Sequence, residues 1–173
     1  MPKNLNNKAL DDLSWQILKE LSENARISST EVGRRVGLSA PAVADRIQKL
    51  EEQGYIKGYG TLIDFDKIGF AIQAFINFKS TLLNHEEKVK VVESYPEVVE
   101  WYSVTGNTSM ILKVATATSR QLEQVIERLM EYGETSTSLI LSSRTDLKFL
   151  GKVLKKEKQR ALEAKKNLKA LKI

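Results

Sequence analysis

The sequence predicts an α+β protein with an N-terminal (winged) helix-turn-helix domain, a C-terminal ferredoxin-like βαββαβ domain and a basic C-terminal helix. Three observations lead to this fold class. Apolar residues recur at helical spacing over residues 12–50, where a Gly-Leu-Ser step interrupts them. From residue 70 onward, runs that alternate with period two are separated by two amphipathic helical segments. Beyond residue 146, leucines recur at helical spacing among many lysines.

The composition excludes several kinds of site. The chain is 42% hydrophobic and 28% charged, which is typical of globular proteins and argues against disorder throughout. It has no cysteine for a disulfide or a thiolate–metal site, and its one histidine, His85, cannot form a histidine cluster. No apolar run reaches the length of a signal peptide or a membrane span. We therefore expect a cytoplasmic protein with no metal, no other cofactor and no membrane partner.

The net charge of +5 is located in the tail. Residues 1–60 hold nine basic and eight acidic residues, residues 61–150 hold nine and twelve, and residues 151–173 hold nine and two. A basic tail is compatible with a nucleic-acid partner or with a solvated surface. The prediction of DNA binding therefore depends on geometry.

The Gly-Leu-Ser step predicts the turn of a helix-turn-helix. The Ser28 hydroxyl and the Glu31 carboxylate would form a capping box at the start of the second helix. Gly37 suits the positive φ of a helix C-terminus, and Ser39 suits the N-cap of the third helix. Gly33 would be the small residue at which the third helix crosses the second. The alternative is a three-helix core unit that binds no ligand.

A helix-turn-helix places its last helix in the major groove of DNA. Arg46 is the sharpest candidate for contact with a base, and its alternative role is a salt bridge to Glu31 or Glu51 within the domain. Arg34, Arg35 and Lys57 are candidates for phosphate contacts. The residues expected to face base edges and phosphates from the last helix are Ser39, Ala40, Ala42, Asp45, Arg46 and Lys49.

The second half of the chain predicts an antiparallel sheet with helices on one face. After Gly54, β-forming residues and glycines predict a strand or wing followed by a hinge. The open face of a βαββαβ sheet commonly needs a partner, and Phe75, Trp101 and Tyr102 are candidates for that surface. The predicted boundaries are 1–60 for the DNA-binding domain, 61–67 for the hinge, 68–145 for the oligomerisation and effector domain, and 146–173 for the tail.

Several runs of residues carry a family resemblance. They are "LDDLSWQIL", "NARIS", "VGLSAPAVADRIQKLEEQGYIKGY", "IDFDKIG" and "VTGNTSMILKV". Over residues 8–150 the chain resembles the Lrp/AsnC family of transcriptional regulators. The resemblance implies a sequence-specific regulator that binds double-stranded DNA and forms homodimers through its C-terminal sheets. It also implies assembly into rings such as a tetramer of dimers, and a small effector, typically an amino acid, in a cleft between dimers.

Two positions depart from the family pattern, and both lose a carboxylate. Ser14 stands where the family usually has aspartate. Ser109 replaces an aspartate that would meet the ammonium group of an effector, so we expect weak or absent binding of free amino acids. The alternative is a tight interface turn that binds nothing. The effector-binding candidates carried over from the family are Thr105, Gly106, Asn107, Thr108 and Ser109, with Ser136 and Thr137 from a facing loop.

Two further classes of function compete with the regulator. An architectural protein that wraps DNA would use the same helix with broad specificity. Some tetrapyrrole decarboxylases resemble the same two-domain plan, but His85 has no evident partner for acid–base work. No phosphate-binding loop, nucleophile elbow or metal-spaced cluster is present. We therefore expect no enzymatic activity and no catalytic residue.

The tail predicts an amphipathic helix. Its stripe is interrupted at Glu157 alone and is otherwise formed by Leu147, Leu150, Leu154, Ala161, Ala164, Leu168 and Leu171. We expect the helix to reach about residue 165 by packing on a neighbouring subunit, with its lysines left to contact DNA. The alternative is a solvated extension.

Overall fold

The computed structural model describes residues 10–143 and, beyond them, only Glu163. Within residues 10–143 the chain forms two compact units, with the boundary between Thr61 and Leu62. Apart from Glu163, the predicted tail helix lies outside the described residues. None of the described helices has the length and apolar character that crossing a membrane requires.

The N-terminal unit is built from three helices. Each begins after a polar N-cap whose side chain accepts a hydrogen bond from a backbone N–H of the first turn, as the sequence predicts for Ser28 and Ser39. The core of the unit is formed by four buried apolar residues, one or two from each helix: Ile17, Val32, Val43 and Leu50. The helices are α1 (Asp12–Glu23), α2 (Ser29–Val36) and α3 (Ala40–Glu52).

The turn between α2 and α3 has the predicted geometry. Gly37 has φ of 75°, and its N–H donates to the Gly33 carbonyl at 2.8 Å. The Leu38 N–H donates to the same carbonyl at 3.0 Å. Gly33 is buried, and a Cβ at this position would collide with the Leu38 carbonyl oxygen. The close crossing of the two helices therefore requires glycine at position 33.

The predicted capping box at Ser28 is only half formed. The Glu31 N–H donates to Ser28 Oγ at 3.2 Å. The carboxylate of Glu31 does not return to the N-cap, because Arg34 and Arg35 bind it from the next turn of α2. A complete capping box occurs instead at the start of α4.

The C-terminal unit has the predicted βαββαβ order. Its sheet has the strand order β2-β3-β1-β4, and all neighbouring strands are antiparallel. As the alternation predicts, Ala74, Ile76 and Phe78 of β1 are buried against the helices. The elements are β1 (Ile72–Lys79), α4 (His85–Glu93), β2 (Val98–Ser103), β3 (Met110–Thr116), α5 (Ser119–Met130) and β4 (Glu134–Leu139).

Two details differ from the predictions. Residues 53–71 contain no β-strand, so the expected wing strand after Gly54 is not formed in the single chain. Trp101 lies opposite Leu112 and packs against the core on the helix-covered side. Phe75 and Tyr102 are exposed, as predicted for the open face.

The close crossing at Gly33 generates a stability prediction. We expect Gly33→Ala to lower the free energy of unfolding by about 1–3 kcal/mol, because the added methyl group must displace backbone atoms of Leu38. Gly60→Ala is the matched control, since a Cβ there has no neighbour within 4 Å. Chemical denaturation measures both variants. Equal stability of the two variants would show that the crossing tolerates a side chain.

Candidate nucleic-acid interface

The exposed face of α3 is the side opposite the core of the N-terminal unit. Val43 and Leu50 point into the core, so the residues on the far side of the helix are exposed. Of the predicted DNA-facing residues, Ser39, Asp45 and Lys49 are exposed, whereas Ala40 and Ala42 are half-buried. We use the name exposed face of α3 for Pro41, Ala44, Asp45, Gln48 and Lys49.

Sequence reasoning missed three members of this face: Pro41, Ala44 and Gln48. Marking the core positions on a helical wheel would have identified them, because they lie away from Val43 and Leu50. Polar side chains on the face are paired along the helix. Lys49 Nζ lies 2.7 Å from Asp45 Oδ2, and Gln48 Nε2 donates to Glu52 Oε1 at 2.8 Å.

Arg46 is not on the exposed face. Its Nη1 donates to Asp11 Oδ2 at 2.7 Å and to Ser14 Oγ at 3.3 Å. The Arg46 side chain is 30% exposed, against 60% for Lys49. This placement differs from the predicted orientation toward base edges, and the salt-bridge partner is Asp11 rather than Glu31 or Glu51. Because Asp11 caps α1, Arg46 connects α3 to the start of α1.

Hydrogen bonds to Asp11 lower the pKa of its carboxyl group. The Ser14 N–H donates to Asp11 Oδ1 at 2.8 Å. Hydrogen bonding by Ser14 has the largest effect, and the Arg46 guanidinium lowers the pKa further, so that it falls from 3.8 to about 2. The carboxylate is therefore ionised and paired at neutral pH.

Two arginines near the end of α2 share one carboxylate. Arg34 donates to Glu31 from Nε at 2.9 Å and from Nη2 at 2.8 Å, and Arg35 Nε donates to Glu31 at 2.8 Å. Hydrogen bonds from Arg34 and then Arg35 lower the pKa of Glu31 to about 2. Arg35 Nη1 also donates to Glu20 at 2.7 Å. The Arg34 side chain remains 73% exposed, and Lys57 is exposed as well.

The loop between β2 and β3 is fixed to the end of β1. The Thr108 hydroxyl donates to the Phe78 carbonyl at 2.9 Å, and the Ser109 N–H donates to the same carbonyl at 3.0 Å. Gly106 has φ of 121°, which suits glycine at this tight turn. Thr105 and Asn107 are exposed.

The prediction that Ser136 and Thr137 come from a loop facing these residues is wrong. They belong to β4, where Ser136 lies opposite Asn77 and Thr137 opposite Ile76. Because neighbouring strand residues point to opposite faces, the two side chains do not converge on one site. Within the part of the chain that the structure describes, no group of His, Asp or Glu residues could hold a metal ion.

Two sequence families match the chain, one in each unit. The model of a winged helix-turn-helix DNA-binding domain matches residues 10–57. The model of the Lrp/AsnC ligand binding domain matches residues 73–147. The two matches follow the order of the two units in the fold.

Known regulators and their structures resemble most of the chain. The HTH-type transcriptional regulator YezC of Bacillus subtilis, described as uncharacterized, is 37% identical over 78% of this chain and 95% of its own length. The structure of B. subtilis LrpC aligns with a TM-score of 0.74 at 27% identity, over 79% of this chain and 98% of that one. The feast or famine regulatory protein Rv3291c from M. tuberculosis, complexed with L-methionine, aligns with a TM-score of 0.74 at 30% identity. The alignment covers 80% of this chain and 96% of the Rv3291c chain.

The contact between α1 and α3 generates a pH prediction. Because the folded-state pKa of Asp11 is depressed, its ionised form stabilises the fold above about pH 4, and this contribution is lost as the pH falls toward 2. We expect Arg46→Ala to raise the pKa of Asp11 toward 3.8, because the variant removes the guanidinium that donates to Asp11 Oδ2. NMR titration of the Asp11 carboxyl carbon measures the shifts.

Lys49→Ala is the matched control, because it removes the ion pair with Asp45 and leaves Asp11 untouched. An unchanged Asp11 pKa in Arg46→Ala would show that Arg46 does not hold Asp11 in solution.

Proposed function

This chain belongs to the Lrp/AsnC family of transcriptional regulators, and we propose that it binds double-stranded DNA by inserting the exposed face of α3 into the major groove. The observation that carries this proposal is the fixed turn at Gly37, which presents α3 with its core side buried and its opposite side open. The chain is thus a DNA-binding regulator of the Lrp/AsnC type. We assign it binding rather than catalysis, because its relatives are transcriptional regulators.

Phosphate contacts come from basic residues beside the exposed face. Arg34 and Arg35 lie at the end of α2 and are exposed despite their contacts with Glu31. Exposed ion pairs contribute at most about 1 kcal/mol, so a DNA phosphate can replace Glu31 at either guanidinium. Lys49 and Lys57 add two further exposed charges. These contacts position the protein on the duplex without selecting a sequence.

The open face of the C-terminal sheet is the proposed homodimer surface. Phe75 and Tyr102 are exposed on the side that neither helix covers, and half-buried Ile111 lies opposite Tyr102 in the sheet. A second copy of the same face would bury these apolar groups in an isologous contact. We propose that such dimers assemble further, up to a tetramer of dimers.

The effector proposal rests on the loop between β2 and β3. The Rv3291c relative was solved in complex with L-methionine, and the ligand binding domain model matches residues 73–147, which include this loop. Thr105, Asn107 and Ser109 offer polar groups here but no carboxylate, and the Thr108 hydroxyl already donates to backbone carbonyls. Without a counter-charge, the ammonium group of an amino acid is held weakly. We therefore propose a loop that binds free amino acids weakly or not at all.

The phosphate contacts generate a prediction about salt dependence. We expect Arg34→Ala to weaken binding to all duplexes about equally and to reduce the slope of log K against log salt by roughly one. Duplexes selected by the full chain from a random-sequence library serve as probes, and fluorescence anisotropy measures affinity. Arg128→Ala is the matched control, because it also removes an arginine that is paired with a glutamate, Glu97, but from α5 of the other unit.

Footprints across the genome test the regulator itself. Discrete palindromic sites support a sequence-specific regulator, whereas continuous coverage would favour an architectural protein that wraps DNA.

The missing carboxylate at Ser109 generates a ligand prediction. We expect calorimetry against the common amino acids to show no micromolar ligand for the unaltered chain. Ser109→Asp should gain measurable affinity, because it supplies a charge partner for the ammonium group. Ser109→Asn is the control, because asparagine has nearly the size of aspartate but carries no charge. A micromolar amino-acid ligand of the unaltered protein would contradict the prediction.

A further inference from the structure

We propose that Gln48 recognises an adenine in the major groove and thereby sets the base specificity of the protein. This inference rests on the proposed insertion of α3 and assigns the chemistry of its contact. The first step is the absence of arginine from the exposed face of α3. The one arginine of the helix, Arg46, is held by Asp11 and Ser14. The bidentate arginine–guanine contact, which is the commonest specific contact, is therefore not offered by this face.

The second step is the state of the Gln48 amide. Gln48 is exposed, and its Nε2 donates one N–H to Glu52 Oε1 at 2.8 Å. A glutamine amide has two N–H donors and one carbonyl acceptor. The contact with Glu52 leaves the second N–H for adenine N7 and the carbonyl oxygen for the adenine N6 amino group. Glutamine and adenine pair in this way at the major-groove edge. Glu52 then acts as a positioning residue that orients the amide.

The third step is the apolar surface beside Gln48. Pro41 and Ala44 lie on the same exposed face, two turns and one turn before Gln48. The Ala44 methyl group and the apolar Pro41 ring suit contact with the C5 methyl group of thymine, and neither side chain can form a hydrogen bond to guanine or cytosine. Lys49 is engaged with Asp45 and is assigned to phosphate. The face therefore fits a duplex whose half-site has an A·T pair opposite Gln48 and thymine methyl groups next to it.

The experiment uses the full chain and synthetic duplexes of the half-site that it selects from a random-sequence library. At the A·T position that the unaltered protein prefers, adenine is replaced by 7-deazaadenine, which lacks the N7 acceptor. We expect this change to weaken binding of the unaltered protein about tenfold. In Gln48→Ala the same replacement should have no effect, and a second library selection should show relaxed preference at that position alone. Circular dichroism checks that the variant is folded.

Gln53→Ala is the matched control, because Gln53 caps the end of α3 and lies outside the exposed face. This variant should keep the preference and the sensitivity to 7-deazaadenine. Two outcomes would overturn the role of Gln48 and leave the proposed function intact. Gln48→Ala could keep the base preference of the unaltered protein, or 7-deazaadenine could weaken DNA binding by the variant and by the unaltered protein equally. If the unaltered protein enriches no sequence at all, the proposed sequence-specific function fails, and the role of Gln48 fails with it.

Discussion

The close crossing of α2 and α3 at Gly33 is the constraint on which the DNA-binding unit depends. The Gly33 carbonyl accepts from two consecutive N–H groups of the turn, and its Cα faces the Leu38 carbonyl without room for a side chain. Gly37 supplies the positive φ that reverses the chain between these contacts. Together they fix the angle at which α3 leaves α2. The side of α3 that faces away from the core is therefore determined before any DNA is present.

The contact between Arg46 and Asp11 adds a second constraint on α3. Asp11 provides the carboxylate for this contact at the N-cap of α1, three residues before Ser14. The Ser14 hydroxyl accepts from the same guanidinium, so a polar contact is retained. Arg46 thus holds two helices together. Its charge is not available to base edges in the described conformation, in keeping with the proposal that smaller side chains on the exposed face select the base.

Much of the fold could be predicted because its signals are local. Capping serines, the glycine at the turn and period-two alternation in β1 each depend on a few neighbouring residues. The failures depend on distant partners. The partner of Arg46 lies 35 residues away in sequence. A shift of register between Val98 and Glu100 places Trp101 toward the core. Ser136 and Thr137, expected on a facing loop, lie within β4, where they pair with residues of β1. Of the side chains predicted to face DNA from α3, Asp45 and Lys49 are exposed, whereas Arg46 is bound to Asp11.

The basic residues of the N-terminal unit are paired with carboxylates, and this pairing bears on the proposed binding of DNA. Residues 1–60 hold nine basic and eight acidic residues, so the segment has little net attraction for DNA. Its basic residues on α2 and α3 each contact a carboxylate: Arg34, Arg35, Arg46 and Lys49. A phosphate that binds one of them takes the place of a carboxylate, which costs little because these pairs are exposed. In the proposed function, these phosphate contacts position the protein and the choice among duplexes falls to the base contacts of α3. The net positive charge of the sequence lies elsewhere, in residues 151–173, with nine basic and two acidic residues.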